Sequence, residues 1–120
     1  MTSAKHGLGN LVAIIDRNRL KAMDETDCSK LLNPLSERWA SFGWAVTEID
    51  GHDMSAICEA LDWSDAQSQQ PSAIIANTIK GKGVSFIEGQ PGYHNAPLNE
   101  DQFLQATREL KAELALVEEE

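Results

Sequence analysis

The sequence is poor in positive charge. Ten Lys and Arg residues stand against nineteen Asp and Glu, a formal net charge of −9. A nucleic-acid surface needs a basic footprint, so that class of function is excluded. Cysteine is scarce too. The two present, Cys28 and Cys58, lack metal-type spacing and read as reduced, structural thiols of a cytoplasmic protein. No apolar run approaches the ~20 residues of a membrane-spanning helix. The amino terminus has no apolar segment of the secretory kind. Walker sequence, dinucleotide glycine fingerprint and G-x-S-x-G elbow are all absent. So are internal repeats and low-complexity segments.

What is there is an ordinary globular composition, 42% apolar and 24% charged over 120 residues, enough for one modest core. Leu11-Val12-Ala13-Ile14-Ile15 is a continuous apolar run and predicts a strand of the parallel type, buried on both faces. Residues 16–30 are polar without period and read as a loop, in which Cys28 or Ser29 starts a short turn of helix. Pro34, with Asn33 as N-cap, opens a helix carrying Leu35, Trp39 and Phe42 on one face and stopped by Gly43. Trp44–Asp50 is a second strand and Gly51-His52 a turn. Asp53 caps a helix whose apolar residues Met54, Ile57, Cys58 and Leu61 fit a 3.6 period. A polar connection over 62–72 leads into the third strand, Ser72–Ile79, again buried on both faces. Asn99 caps a last helix through Phe103, Leu104, Leu110 and Leu114, and Glu118-Glu119-Glu120 reads as a solvated end. The order β-α-β-α-β-loop-α predicts an α/β fold: a partial, doubly wound parallel sheet of three strands alternating with helices, in a single domain over 1–120. Three strands cover two doubly buried ones poorly, so the chain reads like the second half of a larger α/β domain.

The chemistry gathers at the strand exits. In a parallel sheet the first and third strands end on the same edge, where α/β proteins bind ligands. One exit is Asp16-Arg17-Asn18-Arg19-Leu20, the other Lys80-Gly81-Lys82-Gly83, followed by a glycine-rich stretch to Tyr93-His94. An Asn oxygen suits a hard cation such as Mg²⁺. A lysine meets a phosphate as a point charge. A histidine donates to phosphate or serves as acid or base. Together they suit a Mg²⁺-diphosphate ligand. Each has a plainer alternative: Asn18 as a turn residue, the lysines as a solvated turn, His94 as a surface histidine. His52, Trp39, Trp44 and Trp63 read as structural. Residues 81–98, with sparse apolar side chains, read as a loop that is mobile without ligand.

The blocks "NLVAIIDRNRL", "WASFGWAVTEIDGHD" and "SAIIANTIKGKGVSFIEGQPGYHNAPLNEDQ" resemble, in that order and spacing, the thiamine-diphosphate-binding domain of transketolase. They resemble most the split type, whose amino-terminal half is a separate subunit. The resemblance runs from about Leu8 to the final helix. It implies that Asn18 ligates Mg²⁺ through its side chain and that Leu20 completes the coordination through its carbonyl. It implies that Lys80 reaches the cofactor, and that His94 lies between diphosphate and sugar and is the catalytic candidate. Tyr93 and Asn95 depart from the family's usual neighbours of that histidine. The family's Gly-Asp-Gly, with a further Mg²⁺ ligand, is expected upstream of Met1, and the family places its activating glutamate in another domain or subunit. The resemblance therefore implies a component or fragment of a transketolase-like enzyme that transfers a two-carbon ketol unit between sugar phosphates, with thiamine diphosphate and Mg²⁺ as cofactors. Its implied partners are the remaining transketolase domains or a complementary subunit, in a homo- or hetero-oligomer, with neither nucleic acid nor membrane. An isolated chain is expected to be inactive. The alternative is a non-catalytic assembly module or a truncated remnant.

Overall fold

The computed structural model describes residues 1–21, 24–25 and 34–118. The elements are α1 (Thr2–Lys5), β1 (Val12–Arg17), β2 (Leu20–Lys21), β3 (Asp24–Glu25), α2 (Leu35–Ser41), β4 (Ala45–Asp50), α3 (Met54–Asp65), β5 (Ser72–Asn77), a 3₁₀ turn at Pro91–His94, and α4 (Glu100–Glu118). The chain forms two compact units, Met1–Asn18 with Asp27–Thr78, and Arg19–Thr26 with Ile79–Glu120.

The first unit holds a three-stranded parallel sheet in the order β1-β5-β4. The α/β reading and its three parallel strands are therefore observed. β5 sits in the middle, paired on both sides, with Ile14 and Thr47 flanking Ile74 in register. It is also the buried strand, from Ser72 to Ala76, with Ala73 and Ile75 fully enclosed. β1 differs from expectation. Among the described residues it pairs with β5 alone, and Ile14 is 62% exposed. Its apolar run is that of a parallel strand, but an edge strand has one neighbour and is less enclosed.

α2 and α3 lie against β4. α2 begins after Pro34 and ends before Gly43, whose φ of +81° stops the helix where a side chain would be strained. Trp39 and Trp44 meet edge to face across that end, ring centroids 4.8 Å apart, which fits their structural reading. At α3 the cap falls on Asp53, whose Oδ1 accepts from the N–H groups of Ser55 (2.9 Å) and Ala56 (3.1 Å). The period alone does not say which residues are buried. Ala60 and Ser64 are buried, while Met54, Cys58 and Leu61 are exposed. Small side chains at 60 and 64 permit close approach, which outweighs the pull of the larger apolar residues on the other flank. Cys58 is a free, exposed thiol. Cys28, Ser29 and Asn33 lie outside the described residues.

In the second unit β2 and β3 form a short antiparallel pair, Leu20 opposite Glu25, within the segment expected to be loop. α4 opens with a reciprocal capping pair: Asn99 Oδ1 accepts from the Gln102 N–H (2.9 Å), and Gln102 Oε1 accepts from the Asn99 N–H (3.0 Å). The helix runs through Phe103, Leu104, Leu110 and Leu114 as expected; these four are exposed, and Ala106 is buried.

Candidate functional site

In the first unit the carboxyl ends of the three strands are locked to one another by polar contacts. Arg17 Nη1 donates to Asn77 Oδ1 (3.1 Å) and lies 3.8 Å from Glu48 Oε2. Asn77 Nδ2 donates to the Ile49 carbonyl (3.3 Å), and the Thr78 hydroxyl donates to Asp16. The Gly51 N–H donates to the Asn77 carbonyl at 2.8 Å, and a Cβ on Gly51 would stand 2.5 Å from the Thr78 methyl. Gly51 is therefore required by close approach. The neighbouring His52 donates its backbone N–H to Asp50 Oδ1 (2.9 Å), in keeping with a structural turn. Asn18, half-buried, follows directly after this locked edge. Arg19 then adopts a φ of +61°, a left-handed conformation that costs a non-glycine residue about 1 kcal/mol or more. This strain sits between the two residues expected to hold a cation, Asn18 and Leu20.

The second unit contains Leu20 and the whole lysine–histidine segment. Over its first half, the stretch expected to be mobile without ligand carries hydrogen bonds of its own. The Gly89 N–H donates to the Lys80 carbonyl (2.8 Å), Val84 N–H to Gly81 (3.2 Å), and both Ile87 and Glu88 N–H to Val84 (2.9 Å each). Val84 is buried beneath. Gly81, Gly83 and Gly89 take φ values of +70°, +88° and +70°, so three left-handed positions make the fold of the loop possible. Glu88 Oε2 accepts from the Gly83 N–H (3.3 Å), and Glu88 Oε1 stands 4.0 Å from Lys82 Nζ. The Lys80 ammonium has no hydrogen-bond or ion-pair partner among the described residues.

Helix α4 holds this segment at two points. Glu109 Oε2 accepts from the Ser85 N–H and Glu109 Oε1 from the Ser85 hydroxyl, each at 2.7 Å. Gln105 Nε2 donates to Glu109 Oε1 (2.8 Å) and to Ser85 Oγ (3.3 Å). The Gln105 amide first, then the Ser85 N–H and hydroxyl, hold the Glu109 carboxyl below the usual carboxylate range. Nearer the start of α4, Gln102 Nε2 donates to the Tyr93 hydroxyl (3.2 Å), and the Tyr93 and Phe86 rings meet edge to face at 5.9 Å. His94, exposed, stands beside Tyr93 at the end of the 3₁₀ turn. The lysine turn and the histidine turn are thus both tied to α4. The holding residues Ser85, Gln102, Gln105 and Glu109 carry no sequence motif. Gln105 and Glu109 are spaced to share a helix face, but their partner Ser85 lies twenty and twenty-four residues away in the chain, respectively.

Among the described residues no three His, Cys, Asp or Glu side chains group as a metal centre, and no helix is long and apolar enough to cross a membrane. The donors at the expected positions are an amide oxygen, a main-chain carbonyl, an ammonium and an imidazole. By donor chemistry, taken one residue at a time, the neutral oxygens are of the kind Mg²⁺ takes and the two nitrogen groups of the kind a diphosphate takes.

Residues 2–115 match the family model described as transketolase, thiamine diphosphate binding domain. The chain is 37% identical over 120 residues to an apulose-4-phosphate transketolase subunit of Phocaeicola vulgatus, covering all of this chain and 43% of that one. It is 40% identical over 106 residues to a 6-deoxy-6-sulfo-D-fructose transketolase subunit of a Clostridium species, covering 88% and 38%. It therefore spans about two fifths of those relatives' length. The crystal structure of transketolase from Campylobacter jejuni superimposes with a TM-score of 0.81 at 30% identity, over 89% of this chain and 17% of that one. With its sheet, its lysine loop and its capped last helix matched along nearly the whole length, this chain belongs to the transketolase family, in its thiamine-diphosphate-binding domain.

Proposed function

We propose that this chain works as part of a transketolase-type enzyme that moves a two-carbon ketol unit between sugar phosphates, using thiamine diphosphate and Mg²⁺, in the cytoplasm. The observation that carries this is the unequal state of the two loop lysines. Lys82 has a carboxylate neighbour in Glu88, whereas the half-buried Lys80 ammonium has no partner among the described residues. An ammonium on a half-buried residue without a neighbouring carboxylate suits an anionic ligand. In this reading Lys80 pairs with the cofactor's diphosphate, and Asn18 and Leu20 offer Mg²⁺ a side-chain and a main-chain oxygen. His94 orients a phosphate or hydroxyl of the sugar. The cofactor, when bound, supplies the electron sink that lets a carbon–carbon bond next to a carbonyl break.

A complementary subunit, or a second copy, completes the assembly. The support is β1, which among the described residues is paired on one side only and carries an exposed Ile14, because an unpaired strand edge favours pairing with another chain. The same edge favours the second reading, a module that docks without binding cofactor. Calorimetric titration with Mg²⁺-thiamine diphosphate separates the two, performed on the chain alone and on the chain assembled with a complementary transketolase subunit. Weak or no binding alone and clear binding in the assembly is expected, with Lys80→Ala weakening it about tenfold or more, as loss of a charge-assisted contact does. An assembly that forms but takes up no cofactor would leave the docking module.

A further inference from the structure

We propose that Glu109 is the positioning residue of the lysine loop: its carboxylate takes both donors of Ser85 and sets the Lys80–Gly89 turn in the shape that presents Lys80 to a diphosphate. The assignment rests on the cofactor reading above. A loop with left-handed glycines at 81, 83 and 89 has many backbone states open to it. Its own hydrogen bonds close it end to end, from Gly89 to Lys80, and around Val84. They leave the Ser85 N–H and hydroxyl to be taken up by α4.

That is where the clamp acts. Ser85 directly follows the buried Val84, and its N–H and hydroxyl both point their protons at one carboxylate. Gln105, one helical turn before Glu109, donates to the same carboxylate and to Ser85 Oγ, so the acceptor itself is held in orientation. Ser85 is exposed. Bonds on an exposed residue add little to overall stability, because water competes for the same groups. What they do supply is a single geometry for the loop. Meanwhile Glu88, inside the loop, lies beside Lys82 and leaves Lys80 available. The clamp and the internal carboxylate together decide which lysine is offered and in what pose.

The test uses Glu109→Ala, Glu109→Gln and Ser85→Ala, with Lys80→Ala as reference. In the chain without cofactor, amide exchange at Val84, Ile87 and Gly89 is expected to quicken about tenfold in Glu109→Ala, the effect of losing at least one charge-assisted bond. Glu109→Gln, which keeps one acceptor oxygen, is expected to recover part of the protection, and the melting temperature is expected to stay put. In the chain assembled with a complementary subunit, Glu109→Ala is expected to raise the thiamine diphosphate Kd. The double variant Lys80→Ala/Glu109→Ala is expected to be no worse than Lys80→Ala, because a residue acting through Lys80 has nothing left to position. Unchanged exchange in both Glu109→Ala and Ser85→Ala overturns the clamp. Faster exchange with an unchanged Kd, while Lys80→Ala weakens binding, overturns the positioning role and leaves the cofactor reading intact. A Kd unmoved by Lys80→Ala removes the cofactor reading of the loop, and the positioning role with it.

Discussion

Gly81→Ala isolates the shape of the lysine loop. Gly81 has a φ of +70°, and a Cβ there would stand 2.5 Å from Ile87 Cγ2 and 3.2 Å from the Ile87 carbonyl carbon. Two penalties add. The left-handed conformation costs an alanine about 1–2 kcal/mol. Forcing a methyl against a β-branched side chain and its backbone costs roughly another 1–3 kcal/mol. Gly89 provides the control, since its φ is also +70° but nothing lies within 4 Å of the added Cβ. Gly89→Ala therefore carries only the conformational penalty, about 1–2 kcal/mol. At about 1.4 kcal/mol per tenfold, Gly81→Ala should speed local amide exchange at Val84 and Ile87 by about two orders of magnitude or more, and Gly89→Ala by about one. Hydrogen-exchange NMR on the chain without cofactor reads both. Equal acceleration in the two variants would show that Ile87 does not close over Gly81 and would refute the packed form of the loop. Gly83→Ala should fall between them: its Cβ would meet Glu113 Oε2 at 2.6 Å, but that is the end of a flexible side chain that can swing aside.

Ser72→Ala should be neutral or stabilising, by up to about 1–3 kcal/mol, because Ser72 Oγ is buried with no hydrogen-bond partner among the described residues; a lower melting temperature would contradict this. Asp53→Ala should cost about 1 kcal/mol in thermal unfolding through the two N–H groups it leaves uncapped, and Asp53→Asn should recover most of it. The Ser85–Glu109 clamp should be present at neutral pH and lost in acid: the folded-state pKa is depressed, so its contribution is complete above the ordinary carboxylate range and disappears as pH falls through the lowered value. The Ser85 amide shift followed against pH reads this, and a transition above the ordinary carboxylate range would refute it. In an active assembly, His94→Ala should impair kcat or KM by a contact worth about 1.5–3 kcal/mol while leaving melting unchanged; unaltered kinetics would remove His94 from the site.

The sequence by itself determined the order of the three parallel strands and of the three helices that follow β1, the α/β class and the family, but not the short α1, β2 and β3. Those signals are local: the apolar run of β5, Asp53 and Asn99 as caps, Gly43 as a stop, and three motif blocks in fixed spacing. It also marked Lys80 and His94, because charged residues among glycines after a buried strand are unusual enough to notice. Tertiary structure decided the rest. Which apolar run lies at the centre depends on pairing, so β5 is enclosed while the equally apolar β1 stands at the edge with Ile14 exposed. Which side of α3 faces inward depends on how closely the sheet approaches, so Ala60 and Ser64 displace Met54 and Leu61. The clamp on the loop joins residues twenty-four apart whose types are individually unremarkable, Ser85 and Glu109. A hydrogen bond between distant segments leaves no periodic trace in the chain, since its partners are chosen by the fold that brings them within about 3 Å.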